Sequence, residues 1–147
     1  MKIRADENVS PRIVHAVRSL VLQPGWELTH VREFHSARTA DETWMPRFSQ
    51  EGGNAILSAD RRILTRPHQL AAIAQGGLIG IFLSPQWAES RRNEQAAQIL
   101  HWWPRIEETL LNSKPRDCWK VPHGYGNGDL EKISINYAAA QAANKGP

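Results

Sequence analysis

Leu78-Ile79-Gly80-Ile81-Phe82-Leu83 is apolar almost without interruption, and that run limits the fold more than any other stretch. A strand with one face in water alternates polar and apolar residues, whereas a strand covered on both faces has no reason to. The run therefore predicts a short strand inside a sheet with helices on both sides. Ser10-Pro11 is a strong helix start upstream, serine capping the free amides and proline fitting the first turn. Ile13, Val14, Val17, Leu20 and Val21 then give one apolar face at helical spacing.

The remaining segments alternate in kind. Lys2 to Asp6 reads as a first strand, Trp26 to Val31 as a second and Asn54 to Ser58 as a third. A helix is predicted from about Asp41, carrying Trp44, Met45 and Phe48. Thr39 is expected to cap it while Glu42 reaches back in a capping box. Pro67 opens another helix, with Leu70, Ala71, Ile73 and Ala74, that Gly76-Gly77 closes. Glu89 to Asn112 reads as one long helix kinked at Pro104, and Asp117 to Val121 as a last, edge strand. The neighbours Trp102 and Trp103 cannot face the same way on a helix, so one is expected in the core and the other at an interface or on the surface. The order of elements predicts an α/β fold: a three-layer α/β/α sandwich with a mainly parallel central sheet.

One domain is expected over residues 1–122. Residues 123–147 are expected to form a C-terminal tail outside the core, flexible or partner-binding. His123 to Asp129 is turn-rich and Ala138 to Pro147 is small and polar. The single cysteine, Cys118, excludes an intramolecular disulfide and suits a reducing compartment. No stretch approaches the ~20 apolar residues of a membrane helix, and the opening residues lack a signal peptide's apolar core. A cytoplasmic protein without membrane contact is the expectation.

Acidic residues stand where apolar strands stop. Asp6-Glu7 follows the first strand and Asp60 the third, while Asp41-Glu42 begins a helix between them. In open α/β sheets the ligand crevice lies beyond the carboxyl ends of the strands. Carboxylates gathered there repel one another unless a cation joins them, and a hard ion such as Mg²⁺ needs two or three oxygen ligands from protein. Arg61, Arg62 and Arg66 follow Asp60 directly and suit contacts to a phosphate backbone, although any one such cluster reads equally as solvated surface. The six histidines show no metal-ligand spacing.

Taken in order, Met1-Lys2-Ile3-Arg4-Ala5-Asp6-Glu7-Asn8, Ser10-Pro11, Ala40-Asp41-Glu42 and Ile56-Leu57-Ser58-Ala59-Asp60-Arg61 resemble the PIN-like nuclease domains. The nearest branch is the small single-domain one related to VapC-type toxins, and the likeness covers residues 1 to 121. It implies a Mg²⁺- or Mn²⁺-dependent endoribonuclease, the toxin of a toxin–antitoxin pair. Asp6, Asp41 and Asp60 would be metal ligands, with Glu42 a neighbour or substitute for Asp41 and Glu7 a further candidate. Ser58 would orient a ligand or a metal-held water, and Arg61, Arg62 and Arg66 would meet RNA. The implied partners are an RNA substrate, a cognate antitoxin and a second copy of the chain. Many relatives carry another acid just after the Asp60 position, where this chain has Arg61-Arg62. That departure leaves open a one-metal site, or an inactive PIN-like module that binds RNA. A receiver-like phosphoacceptor domain is the alternative from another class, with Asp60 as acceptor and Ser84 and Lys120 as companions.

Overall fold

The computed structural model describes residues 1–145. Gly146 and Pro147, which the expected tail includes, lie outside the described residues. The sheet has six strands: β1 (Lys2–Ala5), β2 (Glu27–His30), β3 (Ala55–Ser58), β4 (Ile79–Leu83), β5 (Cys118–Val121) and β6 (Glu131–Ile133). Their spatial order is β2-β1-β3-β4-β5-β6. Every neighbouring pair is parallel except β5–β6. The helices are α1 (Pro11–Leu20), α2 (Asp41–Gln50), α3 (Pro67–Gly76), α4 (Pro85–Glu89), α5 (Arg92–Leu111) and α6 (Tyr137–Lys145). The expected three-layer α/β/α sandwich is what forms.

Strand alternation sorts the core into two halves. Ile3, Ala5, Leu28, Leu57, Ile81, Leu83 and Val121 pack with Ile13, Val14 and Val17 of α1 and Ile99, Trp103 and Ile106 of α5. Ile56, Phe82 and Cys118 face the other way, against Trp44, Met45 and Phe48 of α2 and Ile73 of α3. The apolar run is β4, all five of its residues buried, flanked by β3 on one side and β5 on the other. Gly80 interrupts the run for a steric reason: a Cβ there would stand 2.5 Å from the Phe82 ring and 3.0 Å from Cys118 Sγ. At the end of α3, Gly77 adopts φ +64 and closes the helix in the left-handed conformation that glycine accepts without strain.

Several expectations are corrected. The capping box at α2 does not form, because Thr39 Oγ1 donates instead to the Ser36 carbonyl at 2.7 Å and Ala40 takes the cap position. The long helix expected from Glu89 to Asn112 forms as α5, beginning at Arg92 and continuing through Pro104, and a short helix outside that reading, α4, precedes it, capped by Ser84, which accepts from Trp87 N at 3.1 Å. Strand β5 is not an edge, since β6 lies outside it, antiparallel, with Trp119 opposite Lys132.

The segment after Pro122 departs most from its reading as a tail outside the core. Leu130 is 5% exposed and joins the α1/α5 core, β6 extends the sheet, and α6 packs on α3. Both tryptophans of the Trp102-Trp103 pair are consequently buried. Trp103 lies in the core and donates to Glu107 Oε2 at 2.8 Å. Trp102 is covered by the loop that follows β5, donating to the Gly124 carbonyl at 2.8 Å, while Gln98 accepts from Gly124 N at 2.9 Å. The chain thus supplies its own partner for Trp102.

Candidate metal centre

Between β1 and β3 the chain direction of the sheet's construction reverses: β2 was added on one side and β4 onward on the other. Such a switch point opens a crevice at the carboxyl ends of the strands, and Asp6 and Asp60 follow the two strands that flank it. Asp6 continues the ladder by one bond, its N–H donating to the Leu57 carbonyl at 3.0 Å. Its side chain is fixed on both oxygens. Oδ1 accepts from Asn8 N at 3.0 Å, and Oδ2 accepts a short hydrogen bond from Ser58 Oγ. Ser58 Oγ also accepts from Asp60 N at 2.9 Å, so one hydroxyl ties the ends of the two strands together.

Asp6 is 3% exposed. Burial pushes its carboxyl up to about 7; the Ser58 hydrogen bond opposes that shift and the charge of Asp41 adds to it. Asp41 begins α2, where the amide end of the helix favours a negative charge. Trp44 Nε1, one turn on, donates to Asp41 Oδ1 at 3.0 Å and anchors it. Burial raises the Asp41 carboxyl; the Trp44 bond and the positive charge of Arg66 pull it down, while Asp60 and Glu42 push it further up. Two carboxylates that resist ionising together are a place where a cation would be stabilised.

Asp6 and Asp41 open into one polar cleft of about 340 Å³, with Glu7 and Glu42 on its walls and Arg38, Arg66 and Gln69 beside them. Glu7 is partly committed, since its Oε1 accepts from Arg38 N at 2.6 Å. Arg38 holds φ +66, a left-handed conformation unusual for a residue with a Cβ, and so turns the loop before α2 over the strand end. No sequence pattern marked Arg38 or Gln69 as cleft residues, because both arrive there through the path of a loop and the pitch of α3.

Asp60 does not line this cleft. Its carboxylate is turned to Arg62: Oδ1 accepts from Arg62 N at 3.0 Å and from Nε at 2.8 Å, and Oδ2 from Nη2 at 3.2 Å. Burial works against ionisation of Asp60, yet the hydrogen bonds and charge of Arg62, with the charge of Arg66, hold it below the usual carboxylate range. Among the described residues no three His, Cys, Asp or Glu side chains are grouped closely enough to hold one ion. The expected set of Asp6, Asp41 and Asp60 is therefore split, two in the cleft and one in an ion pair. Two carboxylates still fit a hard divalent ion of the Mg²⁺ type, which keeps several waters and takes further oxygens from a phosphate.

The three arginines also separate. Arg66 is exposed at the cleft, Arg62 is engaged by Asp60, and Arg61 is half-buried with its Nε lacking a partner. The phosphoacceptor alternative loses its companions. Ser84 is buried as a helix cap and Lys120 pairs with Glu131 at 3.7 Å. His30 is buried with both ring nitrogens used, Nε2 against the Val9 carbonyl at 2.7 Å and Nδ1 accepting from Arg32 N at 3.1 Å. No helix among the described residues is long and apolar enough to cross a membrane.

A sheet of this order with acids at its switch point defines an open α/β domain whose ligand crevice lies at the carboxyl ends of β1 and β3. Comparison with known families agrees: residues 1–85 match the family described as PIN like domain. The chain belongs to the PIN-like domain family. The matched region runs from β1 just past β4 and contains Asp6, Asp41, Ser58 and Asp60. No curated protein and no solved structure matched the chain.

Proposed function

We propose that this protein is a Mg²⁺- or Mn²⁺-dependent endoribonuclease that hydrolyses RNA phosphodiester bonds at the cleft shared by Asp6 and Asp41. The observation that carries the reading is the pair itself: an almost wholly buried carboxylate and a helix-start carboxylate, opening together at the switch point of a PIN-like sheet. Asp6 and Asp41 would hold the ion, with Glu42 and Glu7 flanking it. A divalent cation, when bound, acidifies water and neutralises charge that builds on a phosphodiester under attack.

The protein's own groups do the positioning. Ser58 and Asn8 fix the Asp6 carboxylate so that it meets a cation without rearranging, and Trp44 does the same for Asp41. Arg66 and Arg38, on the cleft wall, are suited to hold phosphate oxygens of a strand laid across it. Arg61 and Arg62, which directly follow Asp60, would meet the same strand. A toxin role, with a cognate antitoxin and a homodimer, extends the resemblance to VapC-type proteins and is read by co-purification and by size-exclusion chromatography.

The direct test is cleavage of end-labelled RNA with Mn²⁺ or Mg²⁺ and with a chelator. Asp6→Asn and Asp41→Asn should each lower cleavage by about a hundredfold or more, as loss of a metal ligand or its close support does, with circular dichroism unchanged. Full cleavage by both variants would overturn the reading. RNA binding without cleavage by the unaltered chain would assign it instead to an inactive RNA-binding module.

A further inference from the structure

An ion pair between Asp60 and Arg62 stands beside the cleft. Asp60 is one hydrogen bond from the Asp6 anchor, since its N–H donates to the hydroxyl that Asp6 itself receives. Its charge is felt by Asp41. Three carboxylates thus surround one strand junction, and the sequence places an arginine two residues after the third. The 3-10 turn over Arg61–Thr65 brings the Arg62 N–H to Asp60 Oδ1, which carries the Arg62 side chain round to the same carboxylate. Its guanidinium then closes a fork, Nε on Oδ1 and Nη2 on Oδ2. A planar guanidinium can make that two-point contact and an ammonium cannot.

The pair is asymmetric. The Asp60 side chain is 11% exposed, whereas that of Arg62 is 71% exposed. Arg62 thus engages a largely buried carboxylate while itself remaining mostly in solvent. As a surface contact such a pair contributes little to folding. Its effect falls on the charge balance of the junction: one of three negative groups is already neutralised.

We propose that Arg62 is the resident counter-cation of Asp60, withholding that carboxylate from a divalent ion held by Asp6 and Asp41 and thereby limiting the cleft's affinity for it. This rests on the nuclease reading of the same cleft. The site keeps the third carboxylate but holds it in reserve.

The test is calorimetric titration of the full chain with Mn²⁺, which needs no RNA and no turnover. The unaltered protein should bind one Mn²⁺. Arg62→Gln, a change at an exposed side chain, leaves Asp60 its backbone hydrogen bond but frees Oδ2; it should tighten Mn²⁺ binding about tenfold, the lower end of what a group beside a metal site contributes. The double variant Arg62→Gln with Asp60→Asn should return to within about twofold of the unaltered protein, since coupled residues report their link through such a cycle. Unchanged or weaker binding by Arg62→Gln, with the unaltered protein binding normally, overturns this proposal and leaves the nuclease reading standing. A double variant as tight as the single one also overturns it, because the gain would then come from lost positive charge in general. No Mn²⁺ binding by the unaltered protein overturns both.

Discussion

Replacing Asp6 by asparagine should make the metal-free protein more stable, by an amount that depends on pH. Asn keeps the size of Asp6, its oxygen can accept from Asn8 N–H and its amide can donate to the Ser58 oxygen in place of the bond that Ser58 gives Asp6, but it cannot ionise. In the folded chain the Asp6 carboxyl is raised from 3.8 to about 7, chiefly by burial. A group whose folded value lies above its unfolded one favours the fold fully below the unfolded value. That advantage is lost as pH rises through the folded one. Each pH unit between the two is worth about 1.4 kcal/mol, so the loss between pH 4 and pH 7 reaches at most about 4 kcal/mol. Between pH 5 and pH 8 the advantage of Asp6→Asn over the unaltered chain should widen by about 2–3 kcal/mol. Urea denaturation at four pH values reads this directly. Thermal melting would show roughly 3 °C for each kcal/mol in a chain of this size. A constant difference across that range would refute the argument, since it would mean that Asp6 ionises freely in the fold. Saturating Mn²⁺ should raise the melting temperature of the unaltered chain at pH 8 and leave that of Asp6→Asn unmoved.

Further outcomes follow from other contacts. Ser58→Ala removes the donor to Asp6 and the acceptor for Asp60 N–H at once; it should cost about 1–3 kcal/mol in urea denaturation and raise the Asp6 titration midpoint seen by carbon NMR. Ending the chain after Pro122 strips β6 from β5, removes Leu130 from the core and uncovers Trp102; thermal denaturation should report a loss of about 3 kcal/mol or more, and an unchanged melting temperature would restore the reading of residues 123–147 as a separate tail. Arg4, 5% exposed, lies against the Phe34 and Phe48 rings at 3.8 and 4.4 Å, with its Nη1 unpartnered. Arg4→Met keeps the apolar contact without a buried charge and should be neutral or stabilising by about 1 kcal/mol in the same assay.

The architecture was legible because burial leaves a direct mark on composition. A strand covered on both faces, Ile79–Leu83, has no polar alternation to hide it, and α1 shows both its cap at Ser10 and its apolar face. The positions of Asp6 and Asp41 were legible for a related reason: each sits where a regular element ends or starts, and topology then fixes where those ends lie. The fate of Asp60 was not. Whether its carboxylate enters the cleft or turns to Arg62 depends on side-chain torsions and on a 3-10 turn that leaves no periodic pattern. The C-terminal segment was misread because its contacts are few and separated: Leu130, Ile133, Ile135 and Tyr137 are each apolar or aromatic, yet stand among polar and turn residues. Trp102 held the clue. A second buried tryptophan on α5 required something to cover it, and the chain's own loop does so.

The account is tested most directly by diffraction from a crystal of the metal-free protein soaked in Mn²⁺. It predicts an anomalous peak within ligand distance of both the Asp6 and Asp41 carboxylates, with Asp60 still paired to Arg62. A peak elsewhere, or none at saturating Mn²⁺, would contradict the claim that these two acids are held together for a cation.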